Sequence, residues 1–209
     1  MSKPGAFEAD LHASFGTTLR EAGAYFAGEG RLHESLYRLA SRLRAEGIPF
    51  ALAGGMALGE HGYVRMTEDV DVLLTATGLA RFHERLVGHG YVTVYPGARR
   101  TFRDAESGVR IQVRVSMDLP GDGKPQAVRF PDPEAASEMQ EGLPVLRLSK
   151  LVELKLASGM TAPHRLRDLA DVQEIIKARQ LDESFATELD ASVRATFVSL
   201  VEAARTTHD

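Results

Sequence analysis

The feature that most constrains this chain is a short apolar run, Phe50-Ala51-Leu52-Ala53, that ends in Gly54-Gly55 and is followed, after thirteen intervening residues, by Asp69-Val70-Asp71. Four apolar residues bounded by glycine fit a buried strand, and Met56 to His61 then fits one or two helical turns. In the next strand candidate, Thr67 to Leu74, Val70, Val72 and Leu74 point one way, and Asp69, Asp71 and Leu73 point the other. Two carboxylates at i and i+2 therefore share a face, ~6–7 Å apart along the backbone, and can converge on a hard divalent cation. A glycine turn lets backbone N–H groups approach phosphate oxygens with no side chain in the way. Taken singly, the acid pair is also what a solvated strand edge shows, and Gly-Gly is ordinary in turns. In this order and spacing they fit a site for a magnesium–triphosphate complex.

Composition excludes much else. The chain has 209 residues, 44% hydrophobic and 26% charged, enough for one domain or a domain with an appendage. It has no cysteine, so disulfides, thiolate metal sites and cysteine nucleophiles are absent. A net charge of -4 gives no global attraction to nucleic acid or to an anionic membrane. No apolar run approaches the ~20 residues of a spanning helix and the start MSKPGAFEAD carries no export signal, so a cytoplasmic location is expected.

Along the chain, residues 1–30 hold five glycines and predict at most short helices. From Arg31 to Glu46, Leu32, Leu36, Leu39, Ala40 and Leu43 recur at helical spacing until Gly47. Leu79 to Val87 predicts a helix, and Tyr91–Tyr95, Arg100–Arg103 and Val109–Val115 predict strands, the last two joined by a Glu106-Ser107-Gly108 turn. In Val109–Val115, Arg110, Gln112 and Arg114 form the polar face. A proline-rich loop runs through 119–133. Beyond it Leu143–Leu148 predicts a strand, Ser149–Ser158 a helix capped by Ser149, and His164–Arg179 and Ser184–Arg205 two further helices.

With Gly54-Gly55 after one strand and Asp69-x-Asp71 on the next, the sequence resembles the DNA polymerase β-like nucleotidyltransferase superfamily. It is most similar to the minimal prokaryotic branch that includes the AbiEii-type toxins of type IV toxin–antitoxin systems. The segments carrying that closer likeness are Pro120–Pro125, Leu154-Lys155-Leu156-Ala157-Ser158-Gly159-Met160 and Arg165-Leu166-Arg167-Asp168-Leu169-Ala170-Asp171, and the likeness covers about residues 48–178. It implies an α/β nucleotidyltransferase fold: a small mixed sheet flanked by helices, with a C-terminal helical segment packed on it. The expected division is an N-terminal segment to residue 30, a core over 31–148 and the helical segment over 149–209.

The resemblance also implies an activity, transfer of a nucleoside monophosphate from a nucleoside triphosphate, with Mg2+ or Mn2+ as cofactor. Asp69 and Asp71 then hold metal and are catalytic, Gly54 and Gly55 lie at the phosphates, and Lys155, Arg165 and Asp168 bind nucleotide. A third carboxylate is usual on a later strand, and that position falls on Gln112. Its neutral carbonyl can ligate weakly but can neither neutralise an ion nor act as a base. Asp118 lies six residues further on, a poor substitute. The alternative is thus a degenerate relative that binds nucleotide or a partner, within a toxin–antitoxin pair.

Each late residue also has a plainer reading. Lys155 can be a helix lysine whose amine snorkels to water. Arg165 and Asp168 can be an i, i+3 pair on an exposed helix, and Asp171 a cap or internal partner. The expected partners are a nucleoside triphosphate, an unidentified acceptor such as RNA or protein, and a cognate antitoxin, with neither DNA nor membrane.

Overall fold

The computed structural model describes residues 7–12, 14–123 and 126–206. Its centre is a seven-stranded mixed sheet built from β1 (Phe50–Leu52), β2 (Asp69–Leu74), β3 (Tyr91–Thr93), β4 (Thr101–Asp104), β5 (Arg110–Val115), β6 (Ser137–Gln140) and β7 (Leu143–Leu146). The spatial order is β3-β4-β5-β2-β1-β7-β6. β1 runs antiparallel to β2, while β2 and β5 are parallel and in register from Asp69 opposite Arg110 to Leu74 opposite Val115.

Alternation assigns the two faces. Val70, Val72 and Leu74 of β2 and Ile111, Val113 and Val115 of β5 are buried, and the apolar face is covered by α3 (Arg31–Ala45) and α5 (Ala76–Arg85). Phe82 of α5 stacks on Phe102 of β4 at 4.6 Å between ring centres, next to Ile111. The expected helical stripe of α3 buries Leu32, Leu36, Leu39, Ala40 and Leu43. Gly47, at φ +60°, ends that helix, so that Ile48 N–H returns to the Leu43 carbonyl at 2.8 Å and the chain enters β1.

The opposite face carries Asp69 and Asp71 from β2 and Arg110, Gln112 and Arg114 from β5. α4 (Gly54–Glu60), α6 (Leu148–Thr161) and α7 (Leu166–Arg179) build the wall on that side, and α8 (Ala191–Thr206) packs on α6 and α7. α6 buries residues on every side, from Leu151 through Gly159, as expected of a helix enclosed by other elements. The architecture is the expected one, a mixed α/β sheet flanked by helices with a C-terminal helical segment packed on it.

The structure corrects several local expectations. The N-terminal region forms α1 (Phe7–Leu11) and a twelve-residue α2 (Phe15–Phe26), longer than its glycines suggested. Ser14 caps α2 by accepting from Thr17 N–H, and Tyr25 is buried against His33, which offsets the ~1 kcal/mol helical cost of each interior glycine. Ser149 is not a cap, since α6 begins at Leu148 with Arg147 at the cap position. Ser184–Arg205 is broken: residues Glu183–Glu188 form a 3-10 turn before α8 begins. β6 went unread because it is a half-exposed edge strand of mostly polar residues. It is joined to β7 through Glu141 and Gly142, both at positive φ, as a two-residue primed hairpin turn requires.

Candidate active site

The glycine turn and the acid pair meet directly. Ala53 is extended and donates its N–H to the Asp71 carbonyl at 2.9 Å, and Gly54 at φ +63° then turns the chain into α4. A Cβ at Gly54 would lie 2.1 Å from Asp71 Oδ2, so only glycine lets this backbone rest on that carboxylate. The first N–H groups of α4 receive no side-chain cap.

The two carboxylates are held by different neighbours. Asp69 Oδ1 accepts from the Thr67 hydroxyl at 3.1 Å, and its Oδ2 lies 3.6 Å from Arg110 Nη2. Asp71 Oδ1 accepts from Arg114 Nε at 3.1 Å and Nη2 at 3.0 Å, a clamp from the next strand. Burial, reinforced by the Asp71 charge, pushes the Asp69 carboxyl up to about 6 against the opposing pull of Arg110, Thr67 and Arg114. Each acid thus faces one guanidinium, Arg110 for Asp69 and Arg114 for Asp71, and both carboxylates line the same cavity.

Gln112 sits opposite Asp71 in the register, where the third carboxylate was sought. Its Oε1 accepts from Thr101 Oγ1 at 3.2 Å, and its side chain turns along the sheet toward β4 instead of lining the cavity. Asp118 pairs with Arg100 and does not line the cavity. Among the described residues, no group of three or more histidine, aspartate or glutamate side chains is arranged to hold a metal.

The facing wall comes from α6 and α7. The Lys155 ammonium is only 8% exposed and donates to Asp168 Oδ1 at 3.0 Å and Asp171 Oδ2 at 2.7 Å, so it is buried and paired and does not snorkel. Asp168 Oδ2 accepts from Ser158 Oγ at 2.7 Å and Arg165 Nε at 2.8 Å. Although burial opposes it, the Lys155 charge, with Ser158 and Arg165, brings the Asp168 carboxyl down to about 2. The Arg165–Asp168 pair is i, i+3 as expected, but at 13% exposure Asp168 is not on an open helix face. Asp171 is an internal partner: Arg65 clamps it through Nε at 2.6 Å and Nη2 at 2.8 Å.

These walls enclose a cavity of about 630 Å³. Gly54, Gly55, Asp69, Asp71, Lys155, Arg165 and Asp168 all line it, and Gln112 does not. Of the Pro120–Pro125 segment, Pro120 and Gly121 line it as well, whereas Lys124 and Pro125 lie outside the described residues. Sequence reasoning missed Arg65 and Thr67, although both precede the acid pair within a few residues. It also missed Leu11, His12 and Thr18, which reach the cavity from the N-terminal helices. No local pattern marks those three, because their place depends on how α1 and α2 dock on the sheet.

No curated protein matches the chain. Among solved structures, that of ANT(2″)-Ia in complex with adenylyl-2″-tobramycin is similar at 13% identity and a TM-score of 0.49, covering 84% of this chain and 98% of that one. JHP933 from Helicobacter pylori is similar at 18% identity and a TM-score of 0.44, covering 84% and 90%. Residues 36–202, which hold every strand of the sheet and the glycine turn, the acid pair and the α6–α7 wall, match the nucleotidyl transferase AbiEii toxin family of type IV toxin–antitoxin systems, and the chain belongs to that family.

Proposed function

We propose that this protein transfers a nucleoside monophosphate from a nucleoside triphosphate to an acceptor such as RNA or protein. The observation that carries the reading is the Asp69–Asp71 pair, two carboxylates on one strand face in contact with the Gly54 turn and lining a cavity that has more cations than acids among the described residues. Among the described residues, six basic side chains, Arg65, Arg110, Arg114, Lys155, Arg165 and Arg167, face four acids, Glu68, Asp69, Asp71 and Asp168, in a chain whose net charge is -4.

The residues fit a divalent cation. Mg2+ is commonly bound by one or two carboxylates, with substrate phosphates and water completing the shell, so the lack of a three-acid cage among the described residues is compatible with it. Asp69 and Asp71 would hold it, and Mn2+ equally. When bound, such an ion neutralises phosphate charge and polarises the α-phosphate toward attack.

The chain's own residues do the rest. The Gly54-Gly55 backbone, bare of side chains, gives the phosphates room to approach the acid pair. Lys155 holds Asp168 and Asp171 in place, and through them it orients Arg165 and Arg65 toward the cavity. Attack by an acceptor hydroxyl forms the new bond at the α-phosphorus as the bond to the α–β bridging oxygen breaks, with the hydroxyl proton passing to water and pyrophosphate leaving. A toxin role balanced by a cognate antitoxin belongs to the same proposal, supported by the family.

One observation favours a second reading. With Gln112 bonded to Thr101, no carboxylate occupies the third position, and loss of a general base typically costs ~10²–10⁴ in rate. The protein would then bind nucleotide without efficient transfer. The test is calorimetric titration of the four nucleoside triphosphates with and without Mg2+, on wild type and on Asp69→Ala/Asp71→Ala. Magnesium-dependent binding lost in the double variant is expected, and absence of binding by wild type overturns the proposal. Binding without pyrophosphate release in the presence of RNA or protein acceptors selects the second reading.

A further inference from the structure

The structure places a charged relay beside the acid pair that begins outside the family match. Glu8 lies on α1, ahead of residues 36–202, yet it reaches the polar face of the sheet. Its Oε2 accepts from Arg103 Nη1 at 2.7 Å, and its Oε1 lies 3.5 Å from Arg110 Nε. Arg103 and Arg110 are direct cross-strand partners on β4 and β5, so two like charges stand opposite one another with Glu8 above them.

Arg110 is shared. Its Nη2 faces Asp69 Oδ2 at 3.6 Å, while its Nε faces Glu8 Oε1, and neither distance closes to a hydrogen bond. Both Glu8 Oε1 and Arg110 Nε are buried without a hydrogen-bond partner among the described residues. A buried guanidinium nitrogen facing a buried carboxylate oxygen is a contact left to be made. Arg110 therefore stands between two acids, and only one can take it fully.

We propose that Glu8 is a positioning residue that draws Arg110 off Asp69 and so leaves the Asp69 carboxylate available to a divalent cation. With the cation on Asp69, Arg110 is repelled and closes on Glu8. Without Glu8, Arg110 is free to settle on Asp69 and compete with the ion. The N-terminal helix thereby acts on the site through charge as well as by lining the cavity with Leu11 and His12.

This inference rests on the proposed role of Asp69 and is tested with the metal alone. Mn2+ binding to the full chain would be followed by electron paramagnetic resonance for wild type, Glu8→Gln, Arg110→Gln and the double variant, with thermal unfolding as a check on folding. Loss of Glu8 should weaken Mn2+ binding about two- to fivefold, the range set by one ion pair gained by Asp69. In the Arg110→Gln background the same substitution should have no effect on Mn2+ affinity. A role limited to anchoring α1 would lower stability but would not be erased by removing Arg110. Unchanged Mn2+ affinity in Glu8→Gln, or a loss that persists without Arg110, overturns the inference while leaving the proposed function standing. Failure of wild type to bind Mn2+ overturns the metal role of Asp69 and this inference with it.

Discussion

Replacing Gly54 by alanine perturbs backbone and carboxylate together, and the structure sets the size of the effect. At φ +63° an alanine occupies the left-handed region at a cost of ~1–2 kcal/mol. Its Cβ would meet Asp71 Oδ2 at 2.1 Å and Asp71 Cγ at 2.7 Å, which forces that side chain out of its rotamer for a further ~0.5–1.5 kcal/mol. The total, about 2–3 kcal/mol, corresponds to a fall in Tm of about 5–10 °C for a chain of this size. Displacing Asp71 also removes the proposed charged ligand, worth ~1.5–3 kcal/mol, so on that proposal Mg2+-dependent nucleotide affinity should fall at least about tenfold. Gly55→Ala is the control: its backbone is ordinary, and its Cβ would meet Thr67 Cβ at 3.1 Å and Arg65 Nη1 at 3.2 Å. A shift of a few tenths of an ångström relieves those contacts, and the expected cost is about 1 kcal/mol or less. Differential scanning calorimetry and nucleotide titration of both variants check this. Gly54→Ala with the Tm and affinity of wild type would refute the reasoning at its root, because Asp71 would then need neither the turn nor its present position.

Three further outcomes follow from the α6–α7 wall and from β5. Asp168 sits at about 2 in the folded protein against an ordinary 3.8, so its ionisation contributes about 2 kcal/mol. A depressed carboxyl stabilises above its unfolded value and loses that contribution as pH falls through the folded one. Urea unfolding should therefore show the gap between wild type and Asp168→Asn narrowing by about 2 kcal/mol from pH 5 toward pH 2. A gap that stays constant would contradict the assignment. Lys155→Met leaves two acids in a buried site with one cation fewer and should cost about 3 kcal/mol by equilibrium unfolding; a cost under about 1 kcal/mol would mean that Arg65 and Arg165 suffice. Gln112→Glu restores a carboxylate opposite Asp71 and should tighten Mn2+ binding about tenfold by the same resonance assay, whereas unchanged affinity would show that the position does not reach the ion.

The pairing of the glycine turn with the acid strand was legible without the structure because both signals are local. A glycine after a buried strand and carboxylates at i and i+2 are properties of a dozen residues, and the two-residue period of a strand places Asp69 and Asp71 on one face whatever else the chain does. The same holds for α3, whose stripe repeats at helical spacing, and for β5, whose alternation set Arg110, Gln112 and Arg114 on the polar side. β6 escaped because an exposed edge strand needs no apolar alternation. Ser149 misled because a residue type suited to capping also occurs in the first turn of a helix.

What tertiary structure alone decided are the partnerships across long separations. Arg65 and Asp171 are 106 residues apart, and Glu8 and Arg103 are 95 apart. No period in the sequence connects them, because they meet only once α7 packs beside the loop that precedes β2 and α1 docks over β4. Helix packing likewise holds the Lys155 ammonium between Asp168 and Asp171 at the cavity wall, where the sequence also allowed a solvent-seeking lysine. Tertiary placement also turns Gln112 toward Thr101 and aims Arg110 at two acids. Residue type and local period determined which groups this protein has to work with. The order of strands in the sheet decided which charges are buried together, and a buried charge takes its character from whatever stands within a few ångströms of it.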